Sequence, residues 1–215
     1  MSTFSGSPRL IKGGIALIDP ASSAVQRIIV MQYNPDTITR TLQPQGVSDN
    51  ADKAEALRLR GPAQETIKLE AEIDATDQME AGETNAGEFG ILPQLSALES
   101  TVHPTSAQLQ NENALANSGT LEVSPMLSSL ALFIWSKNRI LPVRVTEFSI
   151  TEEAFDTQLN PIRAKVSLGM RVLSVTELGF DSKGGSLFMS HLQQKESLAR
   201  KAGGTISALG LGGLP

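Results

Sequence analysis

The sequence has no cysteine. That excludes disulfides, thiolate metal ligands and a cysteine nucleophile, and leaves the compartment open. Aromatic residues make up only 4% of the chain, with one Trp and one Tyr. An apolar ligand cavity walled by aromatics therefore has little to draw on. There are two histidines, His103 and His191. His103 precedes Pro104 in a loop-like stretch and His191 falls in a C-terminal helical pattern. Both read as surface residues, because no carboxylates converge on them at metal-ligand or general-base spacing. Glu152 and Glu153 are adjacent, so on a strand they point to opposite faces and cannot act as a paired acid and base. No G-x-S-x-G elbow and no Gly-rich phosphate loop with Lys occurs. The expectation is no catalytic residue, no cofactor and no metal.

Positive charge is also in short supply. The formal net charge is -5, and no basic stripe marks a nucleic-acid binder. The longest apolar stretch, Leu127 to Trp135, contains two serines and is too short to span a bilayer. The start, MSTFSGSP, lacks the basic residues and apolar run of a signal peptide. Synthesis in the cytoplasm, with no membrane insertion, is the expectation.

What is present is period-two alternation. In Thr66 to Ile73, Ile67, Leu69, Ala71 and Ile73 share one face, opposite Thr66, Lys68, Glu70 and Glu72. Arg163 to Val172 repeats the pattern, with Ala164, Val166, Leu168, Met170 and Val172 on one face. Both predict strands with one buried side. Val25 to Tyr33 is β-branched and stops at the turn signal Asn34-Pro35. Leu10 to Asp19 predicts a first strand, with Gly13-Gly14 permitting a bend or bulge. Arg139 to Ile150 is strand-like but slips phase between Val143/Val145 and Phe148/Ile150. One extra residue near Thr146-Glu147 repairs the phase, which predicts a β-bulge there.

The middle of the chain, Asp74 to Asn117, is rich in Glu, Gln, Asn, Ser and Ala. A short helix is predicted over Phe89 to Leu98, and Gln108 to Ser118 reads as a surface loop. Near the C-terminus the spacing predicts a helix from Leu187 to Ala202 with Ser186 as N-cap. Arg200 and Lys201 sit in its last turn, and Gly203-Gly204 stop it. An uncharged tail, Thr205 to Pro215, follows. The division expected is a β domain over 1–180 and a helix with a Gly-rich apolar tail over 181–215.

Three segments in order resemble the N-terminal domain of the tube-adaptor family of contractile injection systems. The first is Ile29 to Pro35 (IVMQYNP), followed by Asp36 to Arg40. The second is Leu132-Phe133-Ile134-Trp135. The third is Phe155 to Leu168 (FDTQLNPIRAKVSL). Together they span about Arg9 to Glu177. The chain departs from the family pattern in four places. Ser136 follows Trp135 where relatives carry Gly, only Pro125 precedes the second strand, the middle segment is Asn/Gln-rich, and no LysM-type module is expected before Pro215.

The resemblance implies a mainly β fold, a β-barrel like the tube protein, with a short helix in the middle insertion and a C-terminal helix. It implies a homo-hexameric ring at the baseplate hub. That ring joins the inner tube protein to a trimeric spike protein and touches wedge and sheath-initiating proteins. The protein would first occupy the bacterial cytoplasm and then the contractile particle. It marks Tyr33, Asn34, Pro35, Trp135, Pro161 and Arg163 as interaction residues. Their own chemistry leaves alternatives. Trp135 and Tyr33 suit core packing, and also interface anchoring. Arg163 suits an exposed strand charge, and also an ion pair across a ring interface. Asn34-Pro35 is first of all a turn. Other functions considered are a small ligand-binding β-barrel and a hydrolase at the injection tip, which would need a carboxylate pair in a cleft.

Overall fold

A computed structural model describes residues 11–46, 58–118 and 128–213. Leu10, Pro125, Leu127 and the tail residues 214–215 lie outside the described residues. Seven strands form one antiparallel sheet in the order β2-β1-β5-β6-β7-β4-β3. They are β1 (Gly14–Ile18), β2 (Val25–Val30), β3 (Ile38–Gln43), β4 (Gln64–Asp74), β5 (Leu130–Ser136), β6 (Arg139–Phe155) and β7 (Pro161–Val172). The fold is mainly β, as the alternation indicates.

Strand β4 shows the cause most plainly. Glu65, Ile67, Leu69, Ala71 and Ile73 are buried, while the intervening residues are exposed or half-buried. Strand β7 buries Ala164, Val166, Leu168 and Met170 on the same side. These join Ile15, Leu17, Phe133, Leu141 and Val143 in one core. Burying each large apolar side chain contributes about 1.5–3 kcal/mol. Strands β1 and β5 read as almost continuous apolar runs because both of their faces are covered. Ala16, Ile18 and Leu132 form a second small cluster on the opposite face of the sheet, against Leu187 of the C-terminal helix.

The bulge is where the phase slip places it. The β6–β7 register shifts between Val145 and Glu147, and the extra residue, Thr146, donates its hydroxyl to the Gly169 carbonyl at 3.2 Å. The Gly13-Gly14 pair carries no bulge. In β1 the irregularity falls between Leu17 and Ile18.

The ends of the sheet order, β2 and β3, do not pair with each other among the described residues. The sheet nonetheless curls until the end of β2 faces β4. Residues 28–32 and Ala71, Glu72 and Ile73 line one groove. The Gln32 side chain crosses the gap, with Nε2 donating to the Asp74 carbonyl at 2.6 Å and Oε1 accepting from the Asp74 N–H at 2.9 Å. A side-chain amide thus substitutes for a backbone bridge at the seam where the sheet curls back on itself.

The middle insertion departs from the expectation of a single short helix. It holds four helices, α1 (Thr76–Glu80), α2 (Thr84–Phe89), α3 (Leu92–Glu99) and α4 (Ser106–Asn117). α3 corresponds to the predicted helix and buries Leu95 and Leu98. α4 occupies the stretch expected to be a loop. It is started by a capping box in which the Thr105 side chain accepts from the Gln108 N–H and Gln108 reaches back to the Thr105 N–H. The C-terminal segment holds α5 (Val175–Leu178) and α6 (Lys183–Ala199). Ser182, not Ser186, caps α6, accepting the Gly185 N–H at 2.9 Å. Helical structure ends at Ala199, so Arg200 and Lys201 lie beyond the last turn. A 3-10 turn, Ile206–Leu209, follows. No described helix is long and apolar enough to cross a membrane.

Candidate interaction site

The three segments singled out by sequence are linked through two backbone hubs, although on the sheet Trp135 lies beside the start of β6 and Arg163 beside its end. The first hub is the stretch before β1. Asn34 Oδ1 accepts the Gly13 N–H at 2.9 Å, and Asn34 Nδ2 donates to the Ile11 carbonyl at 2.9 Å. The ring of Trp135 packs on the same Gly13, so closely that a Cβ there would lie 2.6 Å from the ring edge. Trp135 is half-buried and stacks on Phe133, with ring centroids 6.1 Å apart at 20°. The core-packing reading describes it directly.

The second hub is Asp74, the last residue of β4. Its backbone holds Gln32, as described above. Its Oδ2 accepts from Arg163 Nε at 2.7 Å, and its Oδ1 accepts the Thr76 N–H at 2.8 Å, which starts α1. Partial burial works against the Asp74 carboxylate. The Thr76 and Arg163 hydrogen bonds and the Arg163 charge outweigh it and lower its pKa. Arg163 is 44% exposed and already has an anionic partner in its own chain. Glu153 faces it across the β6–β7 pair.

Pro161 is buried and acts through its backbone. Its carbonyl accepts the Ile91 N–H at 2.9 Å, which ties the α2–α3 junction to the start of β7. Gly90 makes this approach possible. Its φ is +56, and a Cβ there would sit 2.2 Å from the Pro161 carbonyl oxygen. The turn between β6 and β7 is closed by Asp156, whose carboxylate accepts the Gln158 and Asn160 N–H groups at 2.7 and 2.8 Å. Asn160 Nδ2 also reaches the Glu88 carbonyl at 3.1 Å.

Of the six residues, Asn34, Trp135, Pro161 and Arg163 are thus held by bonds or packing within the chain. Tyr33 is 47% exposed and Pro35 half-buried, beside the seam. Two participants escaped sequence reasoning, Gln32 and Asp74. The signal was available for Gln32, because it lies inside IVMQYNP. Nothing local marks Asp74 beyond its place at the end of a strand.

The surface next to the Gln32–Asp74 crossing is apolar. β2 exposes Val25 (60%), Ile28 (67%) and Val30 (58%), and among the described residues it pairs on one side only, with β1. Ile28 and Val30 continue into the groove already mentioned, a cavity of about 310 Å³ closed by Pro93, Ala97 and Leu98 of α3. The hub groups are occupied by one another. Among the described residues no three of His, Asp and Glu gather as a metal-holding group.

No known protein family matches the chain, and no curated protein does. Among solved structures, one match is described as the tail of an empty GTA particle computed with helical refinement in C6 symmetry. It is 12% identical, with 75% of this chain and 90% of that chain covered, at a TM-score of 0.28. Superposition that poor supports no conclusion about this chain.

Proposed function

We propose that the protein is a non-enzymatic structural subunit that assembles head to tail into a ring, as the tube adaptors it resembles do. The observation that carries this reading is a pair of sheet edges left unpaired among the described residues. β2 stands at one end of the strand order and β3 at the other, and β2 presents three β-branched side chains to solvent. A long apolar edge invites pairing with another chain unless it is covered or charged, and Arg27 and Gln26 are its only polar residues. Two different edges meeting between copies make a heterologous contact, which closes into a ring when the rotation permits. Six copies, an inner tube protein above, a trimeric spike below and wedge or sheath-initiating proteins outside follow from the resemblance. In this reading Tyr33 and Pro35, next to β2, face the neighbouring copy, and Arg163 with Asp74 stands behind them.

Native mass spectrometry and electron microscopy of the full chain, alone and with its tube and spike proteins, test the reading. Rings of six that are lost in Ile28→Lys are expected. A chain that stays monomeric in the presence of tube and spike proteins would overturn it. A small ligand-binding protein is the second reading, favoured only by the apolar groove. At about 310 Å³ that groove is at the lower limit of ligand-sized pockets, and no aromatic residue lines it.

A further inference from the structure

Helix α6 meets the sheet through a buried polar cluster. Glu65 of β4 is 6% exposed and His191 of α6 is 8% exposed. The Glu65 carboxylate is satisfied twice, by Arg40 Nε of β3 at 2.6 Å and by Lys195 Nζ of α6 at 3.0 Å. His191 lies one turn before Lys195. Neither of its ring nitrogens has a hydrogen-bond partner among the described residues. A neutral imidazole carries one N–H donor and one acceptor, and burying either without a partner is costly.

The groups facing this imidazole come from four elements. Lys195 is on its own helix, Glu65 on β4 and Arg40 on β3, and the Asn138 backbone belongs to the β5–β6 turn. Asn138 is near enough to favour the charged form but does not reach hydrogen-bond geometry with either nitrogen. Two cations already share the single carboxylate. A third positive charge would therefore be buried without a counter-ion of its own. Burial first, and the Lys195 charge second, hold the imidazole neutral, lowering its pKa from the ordinary 6.5.

We propose that α6 is an acid-released latch: protonation of His191 within this cluster undocks the helix from the sheet. The apolar segment that follows it, with Ile206, Leu209 and Leu211, is exposed already while the helix is docked. The direction follows from linkage. The docked imidazole resists protonation and the undocked one does not, so the undocked state binds more protons below the ordinary value. Docking is complete above pH 6.5 and weakens as pH falls below it. The Glu65 carboxylate gives a second, separate window. Burial opposes its charge, but Arg40 and Lys195 lower its pKa from the ordinary 4.5. Its contribution is present above 4.5 and is lost only as pH falls further.

The test is hydrogen exchange of the full chain, with protection factors corrected for intrinsic rates. At about one pH unit below its ordinary value a free imidazole is protonated roughly 10:1, so α6 amides should lose up to about tenfold in protection. Amides of β7 should keep theirs. His191→Leu and His191→Gln should hold α6 protection constant over the same range, and His103→Gln should behave as the unaltered protein does. An unchanged α6 in the unaltered protein, or the same loss in both His191 variants, would overturn the latch. If neither variant folds, the imidazole resonances decide. A His191 that titrates at the ordinary value while α6 stays protected overturns the proposal, and one that titrates below it together with loss of α6 protection supports it.

Discussion

Two regions treat their apolar residues in opposite ways. In the β6–β7–β4 block every large apolar side chain of β4 and β7 except the half-buried Ile162 is buried on one face. The other face carries compensating charges, such as Lys68 against Glu147 at 2.6 Å and Lys165 against Glu153 at 3.6 Å. In β2 and α4 the apolar side chains, except the buried Ile29, are exposed or half-exposed. α4 buries no residue, and Leu109 and Leu115 are each about half exposed, at 50% and 46%. A helix of this length is marginal alone in water. The first region holds most of the buried core, whereas the second holds apolar surface that no described residue covers.

The largest expected effect falls at the centre of the stable region. Phe133 is fully buried and stacked on Trp135, so Phe133→Ala should lower unfolding free energy by about 3–5 kcal/mol in urea titrations. A loss below about 1 kcal/mol there would mean the core is not packed as described. Gly90→Ala comes next. The added Cβ meets the Pro161 carbonyl in a positive-φ position, and a cost of about 1–3 kcal/mol is expected, seen as a lower melting temperature.

Gln32→Ala removes both bonds at the seam and should cost about 1–3 kcal/mol. Its signature is faster hydrogen exchange at the Asp74 N–H, with strand β7 unchanged. Equal acceleration throughout the sheet would show that the seam is not a separate unit. The smallest effect on stability belongs to the exposed edge. Ile28→Ser should change unfolding free energy by no more than about 0.5 kcal/mol while reducing self-association measured by sedimentation. If it destabilises the chain as much as Phe133→Ala does, the contrast between the two regions fails.

How far the sequence could be read follows the same division. β4 and β7 were legible because burial on one face leaves a period-two trace, and the bulge at Thr146 was legible as a break in that trace. α4 was not, because a helix with no buried face leaves no apolar period. Its one signal was the Thr105-to-Gln108 spacing of the capping box. β3 (ITRTLQ) was passed over because only its Ile38 side approaches the core and the strand is an edge. The sequence pattern starts α6 a turn late because Gly184 and Gly185 look unlike a first helical turn. Both are glycine for contact reasons, since a Cβ would reach Leu178 at 2.6 Å from Gly184 and the Gly179 carbonyl at 1.9 Å from Gly185. His191 reads as a surface residue in the sequence and is buried, because the groups around it, among them Glu65, Arg40 and Asn138, come from elements distant in sequence. At the candidate site the motif residues were visible, but the Asp74 hub that joins two of them was not.

Asn34 and Pro35 have a consequence for how long the fold lasts. The Asn34 amide fastens the chain before β1 with both its donor and its acceptor. Spontaneous deamidation of asparagine proceeds mainly when the next backbone nitrogen attacks the side-chain carbonyl, and it needs the hydrogen on that nitrogen to leave. Proline has none. Placing Pro35 after Asn34 closes the main ageing route of the one amide whose conversion to a carboxylate would set a negative charge against the Ile11 carbonyl. The fastening before β1 therefore does not decay by this chemistry.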